Sequence, residues 1–399
     1  MDDMNYIPRS VEKPILDALG RGRSVFLFGA RQTGKTTLIS RMKAQLNVSF
    51  VRPDVRLRYE KSPALLCGEV EPLGRGPAGE LPLVLLDEVQ KVPAILDVVQ
   101  DLIDRKVATF VLTGSSARKL RHSARSNLLP GRVVVFHLDP FSLREYGNVL
   151  LEDRLLDGSL PGIAGVKHAD HREQDLAAYV TTYIEEEIRA EALVRNLGSF
   201  ARFLELAASE SGGIMNLRKL ASEIGVAHTT IAAYYKVLED CLVMERIEPL
   251  TASTTRKKLT RSDKYLFFDM GVRRVAAQEG RRPPNSRWGQ LFEQFIGLEL
   301  VRWSRVSGGG TRIRFWRDPD GPEVDWVVDR EGQYIPIEVK WTDSPDAASV
   351  RHLNCFLTEY PTALRGFVVC RVPRKLKLGD RVTAVPWQSF LEELEQRDA

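Results

Sequence analysis

The 399-residue chain is poor in cysteine, and Cys67, Cys241, Cys355 and Cys370 are scattered without a single Cys-x-x-Cys. Neither a zinc site nor a disulfide framework follows from such spacing, and a reducing, cytoplasmic setting suits it. No run of about 18 apolar residues occurs, which excludes a membrane-spanning helix. The opening MDDMNYIPRS carries acids and no apolar stretch, unlike a secretion signal. Charge of one sign is lacking too: 57 Lys and Arg against 53 Asp and Glu leave +4. There is no chain-wide pull toward nucleic acid or membrane, so any basic surface is local. Internal repeats are absent. With 43% hydrophobic residues over this length, disordered and fibrous classes are excluded and two or three domains are expected.

Short β-rich runs stand out at VFLF (25–28), LVLL (83–86), TFVLTG (109–114) and VVVFHLDPFSL (133–143). Continuous apolar runs of this kind read as buried parallel strands. Helical patterns separate them, KTTLISRMKAQL after the first and KVPAILDVVQDLIDR after the second, the alternation of a wound α/β sheet. The first domain is therefore placed at residues 1–150. From 151 to 255 apolar spacing of three to four predicts a helical middle. From 256 to 399 strands return in KYLFFD, TRIRFWRD, EVDWVVD, YIPIEVKW and RGFVVCRV, predicting a third, α/β domain.

Gly29-Ala30-Arg31-Gln32-Thr33-Gly34-Lys35-Thr36, followed by Thr37, matches G-x-x-x-x-G-K-[ST] between a β-rich run and a helical one. Glycines let such a loop wrap its N–H groups around phosphate, and the next helix aims its positive end at the same charge. Lys35 would reach the β/γ oxygens and Thr36 the magnesium ion. In LVLLDEVQ, Asp87 and Glu88 fall at the C-terminal end of a strand, the edge where open α/β sheets bind ligands. Asp87 would hold the metal through water and Glu88 would orient the attacking water. Thr113, Ser115 and Ser116 end the next strand and either touch the γ-phosphate or simply satisfy the strand end. Arg118, Arg121, Arg125 and Arg132 form a basic cluster, from which one residue, Arg132 being the candidate, would contact the γ-phosphate of a neighbouring copy.

The order of phosphate loop, LDEVQ, LTGSS and LPGRVVVFHLDPFSLREY resembles the prokaryotic AAA-type ATPases that carry a C-terminal DUF4143 domain. Gly131-Arg132 and Pro140 to Glu145 match fingerprints of that family. The resemblance implies a P-loop NTPase, AAA-like parallel sheet, a winged-helix middle and a restriction-endonuclease-like α/β end. ATP and Mg²⁺ are the implied cofactors, and a homo-oligomer is compatible with such cores.

Residues 216–247 resemble a winged helix-turn-helix, with one helix over Leu217 to Ile224, a turn at Gly225-Val226 and a second helix from near His228. His228, Thr229, Thr230 and Lys236 would face DNA, or the unit packs between its neighbours and reads nothing. Arg256, Lys257, Lys258 and Arg261, and Arg281-Arg282, are local basic features that would serve a nucleic-acid backbone or merely solvate linkers.

Asp325 and, on the next strand, Glu338 and Lys340 alternate onto one face. Two carboxylates and a lysine suit Mg²⁺ or Mn²⁺ binding and phosphodiester chemistry. They resemble the PD-(D/E)XK nuclease core, in which Glu293 of LFEQFIGLEL matches the upstream glutamate and Glu299 is the fallback. Strand faces also pair Glu with Lys for solubility, and fold alone does not establish cutting. Trp316, Trp326 and Trp341 would stack on bases or fill the core. The expected function is a Mg-dependent ATPase coupled to DNA binding or processing. Its alternative is a nucleotide switch acting on a protein partner, with an inactive nuclease-like end.

Overall fold

The computed structural model describes residues 6–116, 129–147, 149–184, 197–251, 259–308 and 310–396. The first sheet comprises β1 (Ser24–Phe28), β2 (Leu46–Ser49), β3 (Leu83–Asp87), β4 (Thr109–Gly114) and β5 (Val133–His137). They are parallel throughout, in the order β2-β3-β4-β1-β5. Alternation explains the unbroken apolar runs. Phe26, Phe28 and Leu86 face one core, and Val25, Leu27 and Leu85 face the other, so both sides of the sheet are covered.

The helix read over KTTLISRMKAQL is shorter than that pattern. It stops at Ser40, and Leu46–Ser49 instead forms edge strand β2 beside β3. Only Val48 of that strand is buried, so its periodic signal is weak.

The middle is helical, with helices Leu151–Asp157, Ala169–Ala178 and Leu197–Ser209 before the helix pair Leu217–Ile224 and His228–Asp240. Asn216 caps the first of the pair by accepting from Lys219 N at 3.0 Å, and Gly225 ends it at φ 77°. A hairpin of β6 (Met244–Ile247) and β7 (Lys264–Phe267) follows, completing a winged-helix arrangement. β7 and helix Met270–Ala276 lie beyond residue 255, yet Tyr265, Phe267, Phe268 and Val272 sit in the middle core with Phe203, Ile231 and Leu238. KYLFFD thus supplies the wing and not the third sheet.

Helix Trp288–Ser307 opens the end unit. Its sheet holds β8 (Thr311–Arg317), β9 (Glu323–Arg330), β10 (Gln333–Val339), β11 (Gly366–Cys370), β12 (Leu376–Lys377) and β13 (Val382–Pro386), ordered β12-β13-β11-β10-β9-β8. β8, β9 and β10 are antiparallel neighbours, while β10 runs parallel to β11 after the crossover helix Arg351–Glu359. Phe292, Phe295 and Ile296 of the long helix pack on this sheet against Trp326 and Ile337.

Candidate functional site

Because β4 lies between β1 and β3, the C-terminal ends of all three strands converge at one edge of the sheet. After β1 the loop runs close under β5. A Cβ on Gly29 would lie 2.4 Å from the Leu138 carbonyl oxygen, so only glycine fits. Gly34 turns into helix Lys35–Ser40 at φ 95°. Lys35 is buried; its Nζ donates to the carbonyls of Gly29 at 2.8 Å and Ala30 at 3.0 Å and lies 3.7 Å from Glu88 Oε1. Burial pulls this ammonium below the usual lysine range, against the opposing pull of Glu88 and Asp87. Thr36 and Thr37 are exposed at the helix start. Thr36 Oγ1 donates to Asp87 Oδ2 at 3.1 Å, and Asp87 also accepts from Thr113 Oγ1 at 2.6 Å and Ser49 Oγ at 3.1 Å.

Glu88 adopts φ 59°, a left-handed backbone that costs a non-glycine residue energy. Its N–H donates to Thr113 Oγ1 at 3.0 Å, and its carboxylate accepts from Ser115 Oγ at 3.0 Å and from Gln90 Nε2. The structure therefore brings Lys35, Thr36, Asp87, Glu88 and Ser115 together. It adds Gln90, whose Nε2 also reaches Ser115 Oγ at 2.8 Å. It adds Arg9 as well, which braces the loop from outside by donating to Thr33 O at 2.7 Å and Asp139 O at 2.5 Å.

Arg132 is not brought to this edge. It precedes β5, at the opposite end of the sheet, where it forms a two-pronged pair with Asp104 at 2.6 and 2.9 Å. Parallel pairing with β1 forces this, since the strand start and the phosphate loop lie at opposite ends. Arg118, Arg121 and Arg125 lie outside the described residues.

The loop is also clasped by the middle unit. Ala30 lies in one apolar core with Leu160, Ile163, Tyr179 and Phe268, and Tyr179 Oη donates to Arg31 O at 3.3 Å. Asp139, just past β5, pairs with Arg305 of the end unit's long helix, and Arg305 pairs with Glu245 of β6 at 2.7 Å. His137 beside them is held neutral, its pKa pulled down to about 4 by burial and by the Arg305 charge.

In the end unit, Ile337 of β10 faces Trp326 of β9, which puts Asp325 and Glu338 side by side. Asp325 Oδ2 accepts from Val339 N at 2.8 Å, and Lys340 Nζ donates to Glu338 Oε1 at 2.7 Å. Burial and the charges of Glu293 and Glu338 hold the Asp325 carboxyl well above the usual range, and burial also raises Glu338. Glu293 is taken by Lys264 of β7, at 2.9 Å. Each acid thus has a partner within the chain, although the second oxygen of Glu338, Oε2, is buried without one among the described residues. Among the described residues no three His, Cys, Asp or Glu side chains converge as ligands of one metal ion, so the arrangement does not fit a divalent cation. Glu299 lies elsewhere, buried against Arg302 and the Leu143 N–H.

Trp316 and Trp326 are core residues, and Trp341 stacks on Trp288 at 5.3 Å. On the second helix of the pair His228 and Thr229 are exposed, whereas Lys236 is paired with Glu239 and Asp240, each at 3.2 Å. Arg281 is bound to Asp157. Arg256, Lys257 and Lys258 lie outside the described residues.

Sheet and loop together define an AAA-type, ATPase-class nucleotide-binding unit joined to a helical middle and a C-terminal sheet domain. Family models agree: the AAA domain matches residues 21–147 and the domain of unknown function DUF4143 matches 288–390, so the chain carries an AAA domain with a C-terminal DUF4143 domain. A further domain of unknown function, DUF8612, matches 148–282. An uncharacterized protein of Mycobacterium tuberculosis is 27% identical over 379 residues, 94% of this chain and 82% of that protein. One of Methanocaldococcus jannaschii is 23% identical, over 98% of this chain and 88% of its own length. A chain in the structure of Drosophila ORC bound to AT-rich DNA and Cdc6 aligns at TM-score 0.25 and 9% identity over 68% of this chain and 89% of that one, a likeness too small to carry an argument. No described helix is long and apolar enough to cross a membrane.

Proposed function

We propose that the chain is a Mg-dependent ATPase whose nucleotide state is read by the middle unit, with DNA as the target and an end unit that does not cut while its acids are held as described. The observation that carries this reading is the placement of Ala30 and Arg31: the phosphate loop is part of the middle unit's packing. A loop that rearranges around triphosphate must therefore shift its contacts with Leu160, Ile163 and Tyr179.

Lys35 exchanges the Gly29 and Ala30 carbonyls for triphosphate oxygens, which relieves the cost of holding an ammonium against backbone. The Thr36 hydroxyl and the Asp87 carboxylate are the pair that fits Mg²⁺, whose charge would offset that on the β and γ oxygens. Glu88 accepts the proton of the attacking water, and Ser115 and Gln90 hold that carboxylate in place. Arg132, an edge away from its own loop, is the group this reading assigns to the nucleotide of a second copy in a homo-oligomer.

Glu88→Gln keeps the shape and removes the base, so turnover falls by about 10²–10⁴-fold while ATP affinity holds. Turnover within a few-fold of native would remove Glu88 from the chemistry. DNA enters through the exposed helix start at His228 and Thr229 beside the β6–β7 wing. Duplex binding that weakens with salt and changes ATP turnover supports it. Turnover indifferent to single-stranded, duplex and branched DNA would point to a protein partner instead.

A further inference from the structure

After the left-handed residue Glu88 the chain enters a single 3₁₀ turn, Val89–Lys91, closed by Lys91 N donating to Glu88 O at 3.0 Å. The turn folds Gln90 back against the carboxylate two residues before it. Gln90 is only 6% exposed, and both its side-chain hydrogen bonds run from Nε2: one to Glu88 Oε2 and one, of 2.8 Å, to Ser115 Oγ. Ser115 Oγ donates to the same Glu88 Oε2 at 3.0 Å, so amide, hydroxyl and carboxylate close a triangle. Gln90 Oε1 is buried and has no hydrogen-bond partner among the described residues.

A side chain placed for packing alone has no need of an orphaned acceptor, which an apolar residue of the same length avoids. Nor can the amide turn over, since its oxygen would then meet the Glu88 carboxylate, acceptor against acceptor. Its orientation serves Glu88 and leaves its own oxygen unsatisfied. The two carboxylate oxygens are unequal as a result: Oε2 takes two donors, while Oε1 faces the phosphate loop, 3.7 Å from Lys35 Nζ. We propose that Gln90 is a positioning residue which, with Ser115, occupies Glu88 Oε2 and so leaves Oε1 as the oxygen that takes the proton of the attacking water. That proton passes to Oε1 as the water oxygen bonds the γ-phosphorus and the bond to the β–γ bridging oxygen breaks, leaving ADP and phosphate. A carboxylate free to turn about its last torsion presents either oxygen, and clamping one keeps the other on the triphosphate side. This rests on the ATPase reading and adds to it the atom that acts as base and a residue that acts only through Glu88.

The test is a double-mutant cycle read by steady-state ATP turnover of the full chain with Mg²⁺, in native protein, Gln90→Met, Glu88→Gln and Glu88→Gln/Gln90→Met. Gln90→Met keeps an unbranched side chain of similar length and removes the orphaned oxygen along with the amide donors, so it melts close to native. Its kcat falls on the order of ten- to a hundredfold, the worth of a hydrogen bond to a charged group, while KM holds because Gln90 does not reach the nucleotide. On the Glu88→Gln background the same substitution changes kcat little, since no base is left to position. Ser115→Ala, taken through the same cycle, couples to Glu88 in the same way and serves as the second variant if Gln90→Met folds poorly. Losses that multiply across the two sites, or native kcat in Gln90→Met, would overturn the assignment and leave Gln90 as a packing residue. Native turnover in Glu88→Gln would instead remove the base itself, so failure of the ATPase chemistry and failure of the Gln90 role are separable.

Discussion

Lys35 offers the sharpest separation between a structural and a ligand-binding role. In the structure it is a buried ammonium satisfied by two carbonyls and faced by Glu88 at 3.7 Å. Lys35→Met keeps length and apolar volume, removes the desolvation cost of the charge and forfeits those hydrogen bonds. The opposing effects leave free-chain stability within about 1–2 kcal/mol of native. With ligand the balance is different. A slowly hydrolysed Mg·ATP analogue at roughly 100 times its Kd stabilises the native chain by about 2.7 kcal/mol. For a unit of this size that is on the order of 5–10 °C in melting temperature. Losing one charge-assisted bond to phosphate costs about 1.5–3 kcal/mol, roughly ten- to hundredfold in affinity. At the same ligand concentration the stabilisation then drops to between about 1.4 and 0.4 kcal/mol. Differential scanning fluorimetry with and without the analogue measures both quantities. A full ligand-induced shift in Lys35→Met, or a large loss of stability before ligand is added, would refute the assignment.

Gly29→Ala forces a Cβ to within 2.4 Å of the Leu138 carbonyl, a backbone atom that cannot step aside, and should cost about 1–3 kcal/mol together with analogue affinity; unchanged titration calorimetry would contradict the close approach. His137, at about 4 in the fold against 6.5 ordinarily, stays neutral where the unfolded chain takes up a proton. Stability is therefore intact above pH 6.5 and is lost as pH falls toward 4, by up to roughly 3 kcal/mol. Urea midpoints across that range should slope less in His137→Gln, and parallel slopes would sink the argument. Asp269 is fully buried and accepts from Ser159 N at 2.7 Å, Gly271 N at 2.9 Å and Val272 N at 3.1 Å. Asp269→Ala strands those donors and should cost about 3–5 kcal/mol in urea denaturation, with Asp269→Asn much milder; a loss under about 1 kcal/mol in Asp269→Ala would mean the donors find other partners.

The phosphate loop was legible because its chemistry is local: glycine spacing, a strand before and a helix after. Asp87 and Glu88 were legible for the same reason, as they end a buried strand. Arg9, Gln90 and Lys264 were not, since each acts on groups reached only through the fold; Arg9 is 130 residues from Asp139. Only the adjacency of Gln90 to LDEV hinted at its role. Which end of its strand Arg132 occupies was not legible, since closeness in sequence to a fingerprint says nothing about the direction of pairing between β5 and β1. KYLFFD misled in another way. Its strand character is real, but β7 pairs with β6 and not with the third sheet, a choice made by long-range packing of Tyr265 and Phe267.

The burial of Ala30 under Leu160, Ile163, Tyr179 and Phe268 has a consequence for how such chains can be cut and recombined. A fragment ending near residue 150 would retain the phosphate loop and the strand-end acids and still leave Ala30 of that loop uncovered where those four side chains had been. Grafting the first 150 residues onto the remainder of a relative would mate two surfaces that had never been fitted to each other. The first two units therefore move as one piece, and a seam at the last strand of the sheet breaks the contact between them.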